Sequence, residues 1–108
     1  IRAMAGRIAY CTSKAAVVML SQALAVEWAA RGVRVNAIAP GYSDTELFRN
    51  GRELTPAILE TTLAEVPMGR LVNPEEIAEC CVFLGSNESA AVTGHVLTVD
   101  AGWTAAGR

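Results

Sequence analysis

A chain of 108 residues has room for one domain or part of one, and its net charge of −2 carries no basic cluster that would mark a nucleic-acid or anionic-membrane partner. Apolar residues make up 52%, modestly above the globular average, which suits a segment that expects to be covered by more protein. The longest strictly apolar run, residues 15–20, is far short of the ~20 residues that span a bilayer, and no secretory signal pattern opens the chain.

In chain order, the first residue is Ile1 rather than Met, and a missing N-terminal part is expected. Residues 10–31 predict one long helix. No Pro or Gly interrupts it, and Ala16, Met19, Leu20, Ala23, Leu24 and Trp28 recur at helical spacing. Gly32 is the expected C-terminal cap, and Arg31 in the last turn suits the helix dipole. Glu27 and Arg31 are spaced for an i,i+4 ion pair. Residues 33–39 predict a strand apolar enough for burial on both faces, stopped by Pro40 and Gly41. Residues 42–53 are polar and irregular, with a helical turn expected over 45–49. Residues 55–66 predict a second helix, with Thr55 as N-cap and Pro56 in the first position; Pro67, Met68 and Gly69 break it. Asn73, Pro74, Glu75 and Glu76 form a helix start in which Glu76 can complete a capping box. That helix runs to residue 84. Residues 95–99 predict the last strand, and the apolar segment 96–103 is expected at a sheet edge.

Strands separated by helices imply parallel pairing and an α/β layer architecture. Two strands with flanking helices do not make a stable sheet alone, so the segment reads as the tail of a larger doubly wound sheet. Cys11, Cys80 and Cys81 lack metal spacing and are odd in number. They are expected to be reduced, mostly buried thiols of a cytoplasmic protein.

The chemistry resides in Tyr10 and Lys14. Four residues apart on a helix, they share a face. A phenol is a poor acid or base at neutral pH unless its charged form is stabilised, and an ammonium one turn away does that. Such a pair can exchange a proton in carbonyl–alcohol interconversion. A Y-x-x-x-K spacing alone arises easily by chance. Elsewhere, Asn36 is expected to satisfy a neighbouring loop, Arg70 to anchor a loop by a salt bridge, and His95, a lone histidine beginning a strand, to be structural.

The segment Tyr10-Cys11-Thr12-Ser13-Lys14-Ala15-Ala16 closely resembles the Y-x-x-S-K-A-A segment of the short-chain dehydrogenase/reductase family. Further segments are similar to that family in the same order: Ala25 to Trp28, Gly32 to Asn36, Pro40-Gly41, Thr45, Pro67 to Arg70, Pro74 to Ala78, and Thr93 to Gly102. The resemblance covers nearly the whole chain. It implies the C-terminal part of a Rossmann-like doubly wound parallel sheet with flanking helices, residues 1–108 being the C-terminal half of a single domain. It further implies an NAD(P)-dependent oxidoreductase with Tyr10 as general acid/base. Lys14 would assist Tyr10 and hydrogen-bond the nicotinamide ribose. Pro40, Gly41, Ser43 and Thr45 would form a cofactor-binding loop at the carboxyl end of a strand, where doubly wound sheets bind ligands. The family usually has an apolar residue at the position of Ser43; a contact made by backbone tolerates that change. Thr45 has a structural alternative as a plain helix cap.

The family's glycine-rich pyrophosphate turn, its catalytic Ser and the residue that selects NAD or NADP have no counterpart in these residues, so this chain alone is expected to be inactive and the choice of cofactor is open. The substrate loop is residues 42–66, and a sugar or polyol, a 3-oxoacyl thioester and a steroid-like ketone all fit. The rival reading is a non-catalytic fragment, or an oligomerisation module of the same fold. Residues 10–31 are apolar or small on more than one face, which predicts a symmetric homo-oligomer, a tetramer as is common in the family.

Overall fold

The computed structural model describes residues 3–50 and 55–106. The element order is α1 (Ile8–Trp28), β1 (Ala37–Pro40), α2 (Glu46–Asn50), α3 (Pro56–Glu65), α4 (Pro74–Gly85) and β2 (Val96–Val99), with 3-10 turns at Ala29–Arg31 and Asn87–Ser89. The chain divides into two compact units, one of Ile1–Ile38 and Cys81–Leu97, the other of Ala39–Cys80 and Thr98–Arg108.

In the first unit, α1 starts two residues earlier than its apolar pattern predicts and ends at Trp28. The last turn tightens to 3-10 and closes on Gly32, whose φ of 74° is the left-handed cap that the sequence implies. This tightening takes Arg31 off the α-helical register, and the expected Glu27–Arg31 pair does not form; Arg49 pairs with Asp44 and Arg70 with Glu76. Averaged over its length, Ile8–Arg31 is long and apolar enough to cross a membrane, which a count of the longest unbroken apolar run misses; core helices of soluble proteins share that property.

The predicted strand over 33–39 is shorter and shifted. Residues 34–36 are held by the loop that precedes β2 rather than by a ladder. The Arg34 guanidinium donates to the carbonyls of Val92 and Ser86, both at 3.0 Å. The Asn36 amide donates to the Val92 carbonyl at 2.9 Å and accepts from the His95 N–H at 3.0 Å, so Asn36 satisfies a neighbouring loop as expected. Ser89 is buried at 1% exposure, with its hydroxyl facing the carbonyls of Phe83, Leu84 and Ser86.

The strands β1 and β2 are neighbours in a two-stranded sheet. In the first unit Ala37 N–H donates to His95 C=O, and in the second Gly41 N–H donates to Val99 C=O. Both strands advance together by four residues, so the pairing is parallel. Pro40 is the last residue of β1 rather than the first beyond it. The reason is parity: Ala37 and Gly41 point their N–H groups at β2, and the missing N–H of Pro40 falls on the other side. Residues 37–39 are half-buried, not covered on both faces as expected. The segment 96–103 is not one strand either. β2 ends at Val99, and Asp100 turns the chain by accepting from the N–H groups of Gly102 and Thr104 and from the Thr104 hydroxyl. Burial works against the charge of Asp100, but these bonds outweigh it and hold the carboxyl below its ordinary value.

In the second unit Thr55 caps α3, accepting from Ile58 N–H at 3.3 Å, with Pro56 in the first turn. Arg70 anchors its loop as expected, in a two-pronged contact with Glu76 at 2.7 and 2.8 Å. Glu76 also accepts from Asn73 N–H at 2.9 Å, the reciprocal bond of a capping box. The Arg70 fork first, and the Asn73 N–H second, hold Glu76 at about 2 against an ordinary value of 4.5, with burial opposing. A depressed carboxyl stabilises the fold above its ordinary value and loses that contribution as pH falls toward the folded one. An NMR titration should therefore place the Glu76 midpoint near 2, moving back toward 4.5 in Arg70→Met. A wild-type midpoint near 4.5 would mean that the fork does not form in solution.

Among the described residues few apolar side chains are buried: Ala25 and Leu84 in the first unit, Val66 and Val72 in the second. Met19, Leu20 and Val26 of α1 are more than half exposed. The three thiols are free, but Cys11 and Cys80 are half-buried and Cys81 is exposed, less covered than expected.

Candidate active site

The site residues form two groups, one in each unit. In the first, Tyr10 and Lys14 occupy successive turns of α1, and the Lys14 Nζ lies 5.6 Å from the centroid of the Tyr10 ring. That is within cation–π reach, so the ammonium places its charge against the phenol. Tyr10 is 54% exposed. The Ser13 hydroxyl between them folds back onto the Tyr10 carbonyl at 2.8 Å and is thereby engaged in the helix.

The second group is the turn after β1. Pro40 closes the strand and Gly41 donates to Val99. The next residues are pinned by Val72, which donates to Tyr42 C=O and accepts from Asp44 N–H, both at 2.9 Å, in a parallel bridge centred on Ser43. The Ser43 side chain donates to Gly41 C=O at 3.2 Å. Among the described residues the N–H groups of Tyr42 and Ser43 have no partner, so the turn offers backbone donors while the Ser43 hydroxyl faces its own loop. Thr45 accepts from Phe48 N–H at 3.2 Å and caps α2, which gives it the structural role of a helix cap. Asp44 is gripped by the Arg49 guanidinium at both oxygens, and this contact first of all lowers its carboxyl below the ordinary range.

Sequence reasoning placed the substrate loop at 42–66 without singling out residues in it. Of that stretch, 51–54 lie outside the described residues. The rest forms an open surface groove of about 250 Å³ lined by Tyr42, Ala57, Ile58, Thr61, Thr62 and Glu65. The signal was present in the spacing: Ile58, Thr61, Thr62 and Glu65 fall at i, i+3, i+4 and i+7 on one helical face.

A family model described as enoyl-(acyl carrier protein) reductase matches residues 1–104. Galactitol 2-dehydrogenase (L-tagatose-forming) of Cereibacter sphaeroides is 53% identical over 95 residues, covering 88% of this chain and 37% of that protein. A short chain dehydrogenase family protein from Francisella tularensis superposes with a TM-score of 0.86 at 33% identity, over 95% of this chain and 46% of the other. A candidate 2-deoxy-d-gluconate 3-dehydrogenase from Agrobacterium tumefaciens, solved with bound NADP, gives a TM-score of 0.83 at 43% identity, over 89% and 39% of the two chains. The fold is thus the α/β Rossmann architecture of the dehydrogenase and reductase class. The chain belongs to the short-chain dehydrogenase/reductase family. It spans less than half the length of the relatives that it matches.

Proposed function

We propose that residues 1–108 act within a single Rossmann-like domain of an NAD- or NADP-dependent oxidoreductase that interconverts a carbonyl and a secondary alcohol. The observation that carries this reading is the Lys14 ammonium set 5.6 Å from the Tyr10 ring in a chain of this family. Tyr10 gives its phenolic proton to the oxygen of a ketone, or takes it from an alcohol. Lys14 sets its ammonium beside the phenol and would donate to the hydroxyls of the nicotinamide ribose. Each unit brings donors of a kind that the cofactor takes: in the first, an ammonium beside a phenol on one helix face; in the second, the turn of Pro40, Gly41, Ser43 and Thr45, where the N–H groups of Tyr42 and Ser43 have no partner among the described residues. The nicotinamide, when bound, supplies or accepts the hydride. The test is turnover by the whole protein with NAD(H) and NADP(H) against a panel of alcohols and ketones. Saturable, cofactor-dependent turnover is expected; none with either cofactor would leave the rival reading, a non-catalytic module of the same fold.

The proposed setting is the cytoplasm, where free thiols are stable, without a membrane or nucleic-acid partner. The proposed assembly is a symmetric homotetramer. Its support is the thin core and the exposure of Val17, Met19, Leu20 and Val26 along α1, since an apolar face of that size needs cover. Light scattering of the whole protein at micromolar concentration should give four subunits; a stable monomer would refute the assembly.

A further inference from the structure

In the second unit, the backbone donors of the turn after β1 flank a single α-carbon. The N–H groups of Tyr42 and Ser43, which have no partner among the described residues, lie on either side of the Tyr42 Cα. The Tyr42 C=O accepts from Val72 N–H. Across a trans peptide the C=O and N–H point in opposite directions, so the Ser43 N–H is turned away from Val72. Rotation about the Tyr42 Cα then decides how the two donors are aimed relative to each other. The Tyr42 side chain leaves from that same atom, and whatever holds its ring resists the rotation.

The ring is half-buried and held from two directions. Trp103 meets it edge-on at 5.0 Å, and Phe48 of α2 lies at 6.1 Å. Trp103 is itself fixed. Its backbone N–H donates to Asp100 C=O at 3.1 Å, and its Nε1–H donates to Glu65 Oε2 at 3.2 Å. The residues on either side of it, Gly102 and Thr104, donate their N–H groups to the Asp100 carboxylate. The indole is therefore a rigid prop, set in a closed turn sixty-one residues beyond the ring that it supports.

We propose that the Tyr42–Trp103 ring pair is a positioning device for the cofactor: Trp103, acting through Tyr42, holds the two N–H donors of the turn in the geometry that the nicotinamide cofactor requires. Neither side chain touches the reacting atoms. This rests on the reading of residues 40–45 as a cofactor turn and adds the residues that keep it in shape. A donor aimed in advance costs less to order on binding, so loss of the prop appears in affinity rather than in chemistry.

The test is calorimetric titration of the whole protein with the nicotinamide that supports its turnover, alongside steady-state kinetics. Trp103→Leu keeps much of the apolar bulk and removes the aromatic edge. It should raise the cofactor dissociation constant and cofactor KM about three- to tenfold, the worth of one aromatic pair, with a far smaller change in kcat at saturating cofactor. Trp103→Phe keeps a ring and loses only the bond to Glu65, and it should restore most of the affinity. Tyr42→Leu should weaken binding like Trp103→Leu, and adding Trp103→Leu to it should cost less than about twofold more, because the path through Tyr42 is already gone. Should Trp103→Leu fail to fold, Tyr42→Leu against Tyr42→Phe carries the test, with weakened binding expected only where the ring is lost. A purely structural role would instead lower the melting temperature and the amount of active protein while leaving the dissociation constant of the remainder unchanged, and that result would overturn the proposal. Independent, multiplying losses in the double variant would overturn the route through Tyr42. A wild-type protein that binds neither nicotinamide would bring down the cofactor-turn reading, and the proposal with it.

Discussion

Replacing Tyr10 by Phe in the whole protein is expected to lower kcat by about 10²–10⁴-fold, the range of a positioned general acid or base. The substitution removes one hydroxyl and leaves the ring against which the Lys14 ammonium sits. Because Tyr10 is 54% exposed, stability should change by less than about 0.5 kcal/mol. Cofactor affinity, read by calorimetry, should hold. Lys14→Met is expected to lower kcat and weaken cofactor binding together, since it removes the charge beside the phenol and the proposed donor to the ribose. The two variants thus separate proton transfer from binding. Near-normal turnover in Tyr10→Phe with any accepted alcohol or ketone would take the catalytic role away from this residue.

The parts of the fold that were legible in the sequence are those whose causes lie within a few residues. The left-handed Gly32, the Thr55 cap with Pro56 behind it and the bond from Glu76 to Asn73 are each written in a stretch of four or five positions. The Tyr10–Lys14 pair was legible for the same reason, since one helical turn fixes it. What was not legible depends on partners far along the chain. Residues 34–36 look like a strand by alternation, but their hydrogen-bonding groups go to a loop more than fifty residues away. Pro40 looks like a stop until the side of the ladder that its nitrogen faces is known. The Glu65 carboxylate finds its hydrogen-bond partner in Trp103, thirty-eight residues on. Ser89, anonymous in sequence, is the most buried polar residue among those described, its hydroxyl satisfied by three converging carbonyls.

The turn from Gly41 to Thr45 shows how the two kinds of cause combine. Its local bonds are short-range: Ser43 to Gly41, Thr45 to Phe48, Asp44 to Arg49. Its placement is long-range, set by Val72 on one flank and by Val99 at its start. Local chemistry shapes the turn, and distant backbone decides what it is presented to.

Gly41 is where that distant backbone comes closest, and Gly41→Ala carries the largest stability change expected here. A methyl group at this position would stand 2.6 Å from the Asp100 Cβ and 2.7 Å from the Asp100 Cα. The second of these is a main-chain atom and the first is fixed directly to it, so neither can swing aside, and the strand end and the turn at Asp100 must move apart. Overpacking costs about 1–3 kcal/mol, and a clash with main-chain atoms belongs at the upper end of that range. Movement of Asp100 would also disturb the bonds by which its carboxylate holds Gly102 and Thr104. Gly32→Ala supplies the contrast. Gly32 has a φ of 74° and open space around it, so its cost is only the left-handed backbone, about 1 kcal/mol. Asp100→Gly added to Gly41→Ala would remove the clash with the side chain of residue 100 but leave the clash with its main chain, so rescue should be partial. Denaturant midpoints of the whole protein, at constant m, measure all three variants. A Gly41→Ala loss no larger than that of Gly32→Ala would show that β1 and Asp100 do not pack this closely.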